Sequence, residues 1–328
     1  MWSRLQDGFL DLIDADSFGA DTGYVGLALG LIRYGGLLCL TSTAGPVAGG
    51  RDPLNGLAMY GAHLAPVPHA NEQVRCQPAR VLYSPGGRDV APPPATCCLR
   101  MQGLRMLLGL AAREAMARRL AVTPLWSLYS PHGPVWRVML RVEAAQSADS
   151  MAAALGYVRH ARSTGESAVL SWEGLQAAAC GGGSGGGDGD GGAVVSGPLW
   201  VGPLHDAGHI RELQAAAAAR GWSDSGAEGG EAAQRPRKGG LPALGRLLEL
   251  MEDEAEPLLS PWYTHLDEVG RQGRRAGPPG RGALAAELRR RGFAACATHI
   301  EPRAVKTNAT MAECVAAAVG IGARRPEE

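Results

Sequence analysis

No stretch of the chain reaches the roughly 18 consecutive apolar residues that a membrane-spanning helix requires, so a bilayer span is not expected. Net charge is also missing: acids and bases number 32 each. That balance argues against a surface built wholesale for polyanions and confines any nucleic-acid contact to a local patch. Lysine is scarce, with Lys238 and Lys306 alone among the many arginines. The seven cysteines form no CxxC pair and have no histidine at zinc-ligand spacing, which predicts reduced thiols and no metal. Reduced thiols suit an intracellular compartment, whether nucleus, cytoplasm or organelle, where the sequon Asn308-Ala309-Thr310 is expected to stay unmodified. Finally, no GxGxxG follows a strand pattern and no Walker A sequence occurs, so a dinucleotide or nucleoside triphosphate site is not expected.

What is present begins near the N-terminus. Phe9 to Asp14 is a short apolar run suited to a buried parallel strand, and it continues into Asp14-Ala15-Asp16-Ser17-Phe18-Gly19. An acid and an aromatic at a strand end suit chemistry on an exocyclic amine of a base. Asp16 can accept the amine's hydrogen bond and take its proton, while Phe18 stacks on an extruded base. The plainer reading is a cap, with Asp16 or Ser17 starting a helix near Asp21. These few residues alone leave both readings open.

The next elements follow from periodicity. Tyr24 to Arg33 reads as a small-residue helix stopped by Gly35-Gly36, with Gly23, Gly26 and Gly30 at the spacing of a close helix contact. Leu37 to Thr43 reads as a second buried strand. Leu104 to Leu120 carries an apolar stripe at 104, 107, 108, 111 and 115, with Arg105, Arg113, Arg118 and Arg119 outside it. Val122 to Tyr129 and Val135 to Val142 flank the turn Ser130-Pro131-His132-Gly133 and form a hairpin. Strand, helix, strand, helix, strand, hairpin, strand predicts an α/β fold. It is the order of the C-terminal half of a class I (Rossmann-like) methyltransferase sheet, which ends in an antiparallel hairpin.

Composition divides the chain. Residues 1–145 are expected to hold this partial sheet, interrupted by a Pro- and Cys-containing insertion at 73–102 without helical or strand periodicity. Residues 146–328 are expected to form an α+β C-terminal domain with Gly-rich linkers at 180–192, 223–240 and 271–282. From Arg271 onward eleven Lys or Arg stand against five Asp or Glu, including Arg289-Arg290-Arg291. Such a run more often marks a solvated helix face than a binding site.

Four motifs in order carry a resemblance. They are Asp14 to Gly19 with Gly35-Gly36-Leu37-Leu38-Cys39-Leu40-Thr41; Tyr60-Gly61-Ala62 with Asn71-Glu72; Gly197-Pro198-Leu199-Trp200 with Gly202-Pro203-Leu204-His205-Asp206; and His299-Ile300-Glu301-Pro302 with Val305-Lys306-Thr307. Together they resemble the tRNA guanosine-26 N2-dimethyltransferases, in particular a plant and algal branch. The resemblance implies methyl transfer from S-adenosyl-L-methionine to the N2 amine of a guanosine, with tRNA as partner and a C-terminal domain that binds it. Asp16, Ser17 and Phe18 match the catalytic turn, and Asp14 is expected to shape the cofactor side. Lys306, His299 and Arg303 are expected to hold RNA, Lys306 as a compact phosphate contact.

Departures from the family pattern set further expectations. Ser17 stands where the family usually has proline. Ala161 and Thr164 occupy the places of the first cysteine pair of a zinc ribbon, so no zinc is predicted. His205-Asp206 reads as a turn or helix cap. Since no cofactor turn precedes the first strand, an N-terminally truncated member is expected; the competing reading is an inactive fragment or paralogue that retains only tRNA binding.

Overall fold

The computed structural model describes residues 8–17, 19, 22–65, 99–131, 135–180, 193–223, 242–275 and 277–323. Phe18, the Asn71-Glu72 pair, His132, residues 73–98 of the expected insertion and most of the first two expected linkers lie outside them.

Strand β1 (Leu10–Asp16) leads through helix α1 (Tyr24–Leu31) into β2 (Ile32–Ser42), which pairs with it in parallel. Two short helices follow, α2 (Gly45–Ala48) and α3 (Pro53–Tyr60), then the long α4 (Leu99–Met116). The end of the expected insertion, 99–102, is therefore helical. β3 (Leu120–Ser130) and β4 (Val135–Ala144) form the antiparallel hairpin, and β4 inserts between β3 and β2 to give the order β1-β2-β4-β3. This is the sheet the sequence predicts, one parallel pair closed by an antiparallel hairpin.

Two details differ. α1 ends at Leu31, and Gly35-Gly36 lie inside β2 rather than after a helix. Between the pairs Leu10↔Ile32 and Leu12↔Leu37, β2 spends more residues than β1, a bulge that needs Gly35 at φ 76°. Gly36 lets the backbones meet: a Cβ there would lie 2.9 Å from the Arg33 carbonyl oxygen and 3.2 Å from that of Asp11. Secondly, β1 is an edge strand among the described residues, and Leu10 and Leu12 are 49% and 53% exposed instead of buried. Of the α1 glycines, Gly26 does sit against the Glu114–Arg118 pair of α4, whereas Gly30 faces open space.

Helix α4 is the centre of the molecule. Leu104, Leu107, Leu108, Ala111 and Ala115 pack with Leu38, Leu40, Val138 and Leu140 in one core, as their stripe predicts. The opposite side is buried too, so 103–112 are all inaccessible, including Arg105, which was expected outside. What covers it comes from the second half of the chain. After α5 (Ala148–Ala152), strands β5 (Leu155–His160) and β6 (Ser167–Leu170), α6 (Trp172–Cys180) and β7 (Val194–Trp200) form a three-stranded antiparallel sheet in the order β6-β5-β7. β7 lies close to α4: a Cβ on Gly109 would stand 3.3 Å from the Trp200 amide nitrogen. Leu199, Trp200, Leu204, Ile300 and Ala304 share the core of the first sheet, which thus extends across the 145/146 boundary.

α7 (Ala207–Ala219) and α8 (Leu244–Glu254) pair through Ile210, Leu247, Leu248 and Met251 against Trp126 and Leu128 of β3. The rest is α+β: β8 (Thr264–His265), α9 (Leu266–Gln272), α10 (Arg281–Arg290), β9 (Ala295–Ala297), β10 (Ala304–Thr307) and α11 (Met311–Ala323). The sheet order is β8-β10-β9, and the helices close on it with Val269, Leu284, Leu288, Val305 and Cys314. The expected linker at 271–282 shrinks to the residues between α9 and α10. Arg290 and Arg291 of the basic run pair with Glu287, a solvated-face arrangement. Among the described residues no helix is long and apolar enough to cross a membrane.

Gly103 is where α4 touches the sheet most tightly, since a Cβ there would fall 2.3 Å from the indole nitrogen of buried Trp136. Gly103→Ala gains about 1 kcal/mol of helix propensity but must displace a rigid ring, at about 1–3 kcal/mol. The variant is expected to lower the denaturant midpoint, read by urea unfolding.

Candidate functional site

Asp16 ends β1 in register with Thr41 of β2. Its carboxylate is exposed and has no hydrogen-bond or ion-pair partner among the described residues. The turn that follows is tied to the ends of β2 and α3. The Ser17 hydroxyl donates to the Tyr24 hydroxyl at 3.2 Å, and the Tyr24 hydroxyl reaches the Thr41 carbonyl at 3.2 Å. The Gly19 amide donates to Thr43 Oγ1 at 2.6 Å, and its carbonyl accepts from the Ser42 hydroxyl at 3.4 Å. Ser42 in turn shares a 2.7 Å hydrogen bond with the buried Tyr60 hydroxyl. Thr22 Oγ1 donates to the Met59 carbonyl at 2.7 Å. Neither Asp16 nor Ser17 caps α1, whose N-cap residue is Gly23.

Asp14, two residues earlier on the same edge, is engaged. Arg137 of β4 reaches it at 2.5 Å and donates through Nε to Cys39 Sγ at 3.2 Å. Burial raises the Cys39 thiol, with Arg137 opposing, so this cysteine is a protonated packing group. The hydroxyls of Tyr24, Ser42, Thr43 and Tyr60 and the Arg137 guanidinium were not singled out from sequence. Tyr60 lies in a quoted motif, and that was the one available signal for them.

The residues expected to hold RNA are placed differently. Lys306 is only 2% exposed and His299 is buried, both facing Glu254 at the end of α8. A phosphate contact needs an accessible ammonium; the Lys306 Nζ instead lies 3.6 Å from Glu254 Oε2. Of the three, Arg303 alone presents its side chain to solvent, 45% exposed, with one guanidinium nitrogen on Asp267.

Around Glu254 the chain assembles a buried polar cluster that sequence spacing did not reveal. Glu254 Oε1 accepts from the His299 amide at 2.6 Å and from His299 Nδ1 at 2.7 Å. His205 stands edge-on to His299, ring centres 5.2 Å apart, and its Nδ1 accepts from the Ser127 amide at 3.3 Å. Arg105 donates to the carbonyls of Trp200 and Gly202 at 2.7 and 3.0 Å. Asp206, which follows His205 in sequence, caps α7 by accepting from the His209 amide, as the turn reading predicts. Burial lowers Arg105 to about 9, opposed by Glu254. Burial would raise Glu254, but His299 and Lys306 outweigh it and hold the carboxyl well below its usual range. His205 is pushed well below the ordinary imidazole value by burial and then by His299. One ligand-type atom each of His205, Glu254 and His299 lie within 4.8 Å of one another, the spacing at which a metal ion is worth testing for.

Comparisons with known proteins point one way. Residues 91–318 match the family model described as N2,N2-dimethylguanosine tRNA methyltransferase. The chain is 28% identical over 322 residues to the tRNA (guanine(26)-N(2))-dimethyltransferase of Aeropyrum pernix, covering 98% of this chain and 66% of that protein. The protein of the same name from Methanocaldococcus jannaschii is 26% identical over 312 residues, covering 94% and 65%. Among solved structures, Trm1 from Pyrococcus horikoshii in complex with S-adenosyl-L-methionine superposes with a TM-score of 0.64 at 20% identity, over 94% of this chain and 65% of that one. The chain thus spans just under two thirds of the length of these relatives.

The cluster makes stability depend on pH. Unfolded, Glu254 and His205 return to about 4.3 and 6.5. In both cases the unfolded chain binds a proton that the folded chain refuses, so stability rises with pH and is lost on acidification. The loss begins below about pH 6.5 through His205, to which the burial-depressed His160 and His265 add, and deepens below about pH 4.3 through Glu254. Thermal unfolding between about pH 8 and about pH 4 is expected to show this fall. His205→Gln should shrink the upper step and leave the lower one.

Proposed function

The chain belongs to the N2,N2-dimethylguanosine tRNA methyltransferase family, and we propose that it acts as such an enzyme, methylating the exocyclic N2 amine of a tRNA guanosine, at position 26. The observation that carries the reading is Asp16, an exposed carboxylate without a partner among the described residues, at the carboxyl end of a parallel strand, beside a turn pinned by hydroxyl groups. In open α/β sheets that end is where ligands bind.

The methyl donor would be S-adenosyl-L-methionine, which supplies a methyl on a sulfonium whose charge disappears on transfer. Asp16, at the end of a strand that forms the sheet edge among the described residues, fits the methyl-accepting side of such a site. Among the described residues no group is identified that would hold the adenosine. The chain's own part is to make a poor nucleophile competent. The N2 lone pair of guanine is delocalised into the ring, and Asp16 frees it by accepting an N–H hydrogen bond. As the N–C bond forms, the amine's proton passes to the Asp16 carboxylate. Phe18, two residues after that acid in sequence, would hold the extruded base by stacking. Ser17 and Tyr24 position the turn through the Thr41 carbonyl, and Asp14, fixed by Arg137, shapes the strand beside it.

Asp16→Ala is expected to lower methylation by about 10²–10⁴-fold while leaving tRNA affinity nearly unchanged; loss of both together would make Asp16 structural. Tyr24→Phe should lower kcat several-fold without altering tRNA binding. Calorimetry with S-adenosyl-L-methionine separates the enzyme from a chain that only binds tRNA, an alternative disfavoured by a similarity running through 98% of the sequence. Binding at micromolar affinity supports catalysis, and its absence supports the alternative. For RNA binding by the C-terminal half, Arg303→Ala is expected to weaken tRNA association and reduce its salt slope by about one counterion.

A further inference from the structure

Two of the four sequence motifs, Gly202 to Asp206 and His299 to Thr307, meet at one point inside the protein, on Glu254. There three buried polar atoms are left without a hydrogen-bonding partner: His205 Nε2, His299 Nε2 and Glu254 Oε2. A fourth group, the buried Lys306 ammonium, stands 3.6 Å from Glu254 Oε2, just beyond direct hydrogen-bonding distance. Burying such atoms unpaired is costly, and a polar gap slightly wider than a hydrogen bond is the usual signature of a bridging solvent molecule.

We infer that His205, His299, Glu254 and Lys306 enclose a site for a single structural water, and that this water joins the turn after β7 to the end of α8 and to the β9–β10 segment. The protonation pattern fits that ligand. His205 Nδ1 accepts the Ser127 amide hydrogen, so the proton of the neutral ring is on Nε2, which is a donor. His299 Nδ1 faces a carboxylate and donates to it, so in the neutral ring Nε2 carries the lone pair. A central water therefore receives from His205 Nε2 and Lys306 Nζ and gives to His299 Nε2 and Glu254 Oε2. Two donors and two acceptors make up the full tetrahedral set of a buried water.

The same groups disfavour a metal ion. A metal-bound histidine normally donates through its second nitrogen, whereas the second nitrogen of His205 accepts, leaving no lone pair on Nε2 for a cation. The cation would also sit beside the Lys306 ammonium and near the fully buried Arg105 guanidinium, with Glu254 as the one carboxylate of the cluster. Spacing does not separate the two ligands: partners of one tetrahedral water lie about 4.6 Å apart for bonds of about 2.8 Å, and ligands of zinc about 3.4 Å. Separations within 4.8 Å admit both, and the tautomer decides between them.

Crystals of the full chain, diffracting well enough to resolve ordered water, test the site directly. One peak of water weight is expected within hydrogen-bonding distance of all four side chains, without anomalous signal at the zinc, iron, cobalt or nickel edges. Elemental analysis of protein purified without chelator should find well under one metal per chain. Nitrogen-15 NMR of the histidine rings gives a second reading that needs no crystals: His205 as the Nε2–H tautomer, His299 as Nδ1–H, and a cross-peak from water to the His205 Nε2 proton. A stoichiometric metal, an Nδ1–H tautomer at His205, or direct contact between His205 and His299 with no peak between them would each overturn the inference.

Discussion

The fold depends on one helix being buried on every side. Residues 103–112 of α4 lie between the first sheet and β7, so each position meets a packed neighbour instead of water. Leucine, alanine and glycine satisfy that constraint by volume alone. Arg105 does not, and a guanidinium there is tolerable because it finds the carbonyls of Trp200 and Gly202. Those carbonyls are the ones left free where β7 ends and the chain turns toward His205. Helix, strand end and buried cluster are in this way parts of one arrangement, and the sheet keeps its shape because the C-terminal half holds the helix against it.

At the other end of the sheet, polarity has a different purpose. The ends of β1 and β2 carry Asp16, Ser17, Thr41, Ser42 and Thr43, and nearly every hydroxyl among them serves the backbone of the turn. Thr41 Oγ1 and the Asp16 carboxylate have no such partner among the described residues, and of the two only the acid is exposed. The acid stands beside a turn held by Ser17, Ser42 and Thr43, and under the proposed function such an acid can meet an incoming amine without reorganising. Asp14 shows the contrast: same strand, same edge, but held by Arg137.

The sheet was legible because its signals are local. Alternation in Val138, Leu140 and Val142 and the tight turn before Val135 specify a hairpin from neighbouring residues alone. The misreadings share one cause, dependence on residues far away in sequence. A stripe rule sees one face of α4 and puts Arg105 outside; the partner that buries the other face arrives about ninety residues later. Gly35-Gly36 carries the composition of a helix stop, and its true reason is the close backbone of β1. Lys306 looked exposed because lysine usually is, and Glu254, which draws it inward, has no local mark in its own helix. His205, His299 and Glu254 lie too far apart for any spacing rule to collect.

Ser17 has a thermodynamic consequence of its own. A proline at that position would restrict the backbone in the unfolded chain as much as in the folded one, so part of the order of the turn would exist before folding. The link from Ser17 through Tyr24 to the Thr41 carbonyl exists only once β1, α1 and β2 have come together. Stiffness of the turn after β1 is therefore a property of the assembled sheet rather than of the covalent chain, and it should be lost in any local opening that separates β1 from β2.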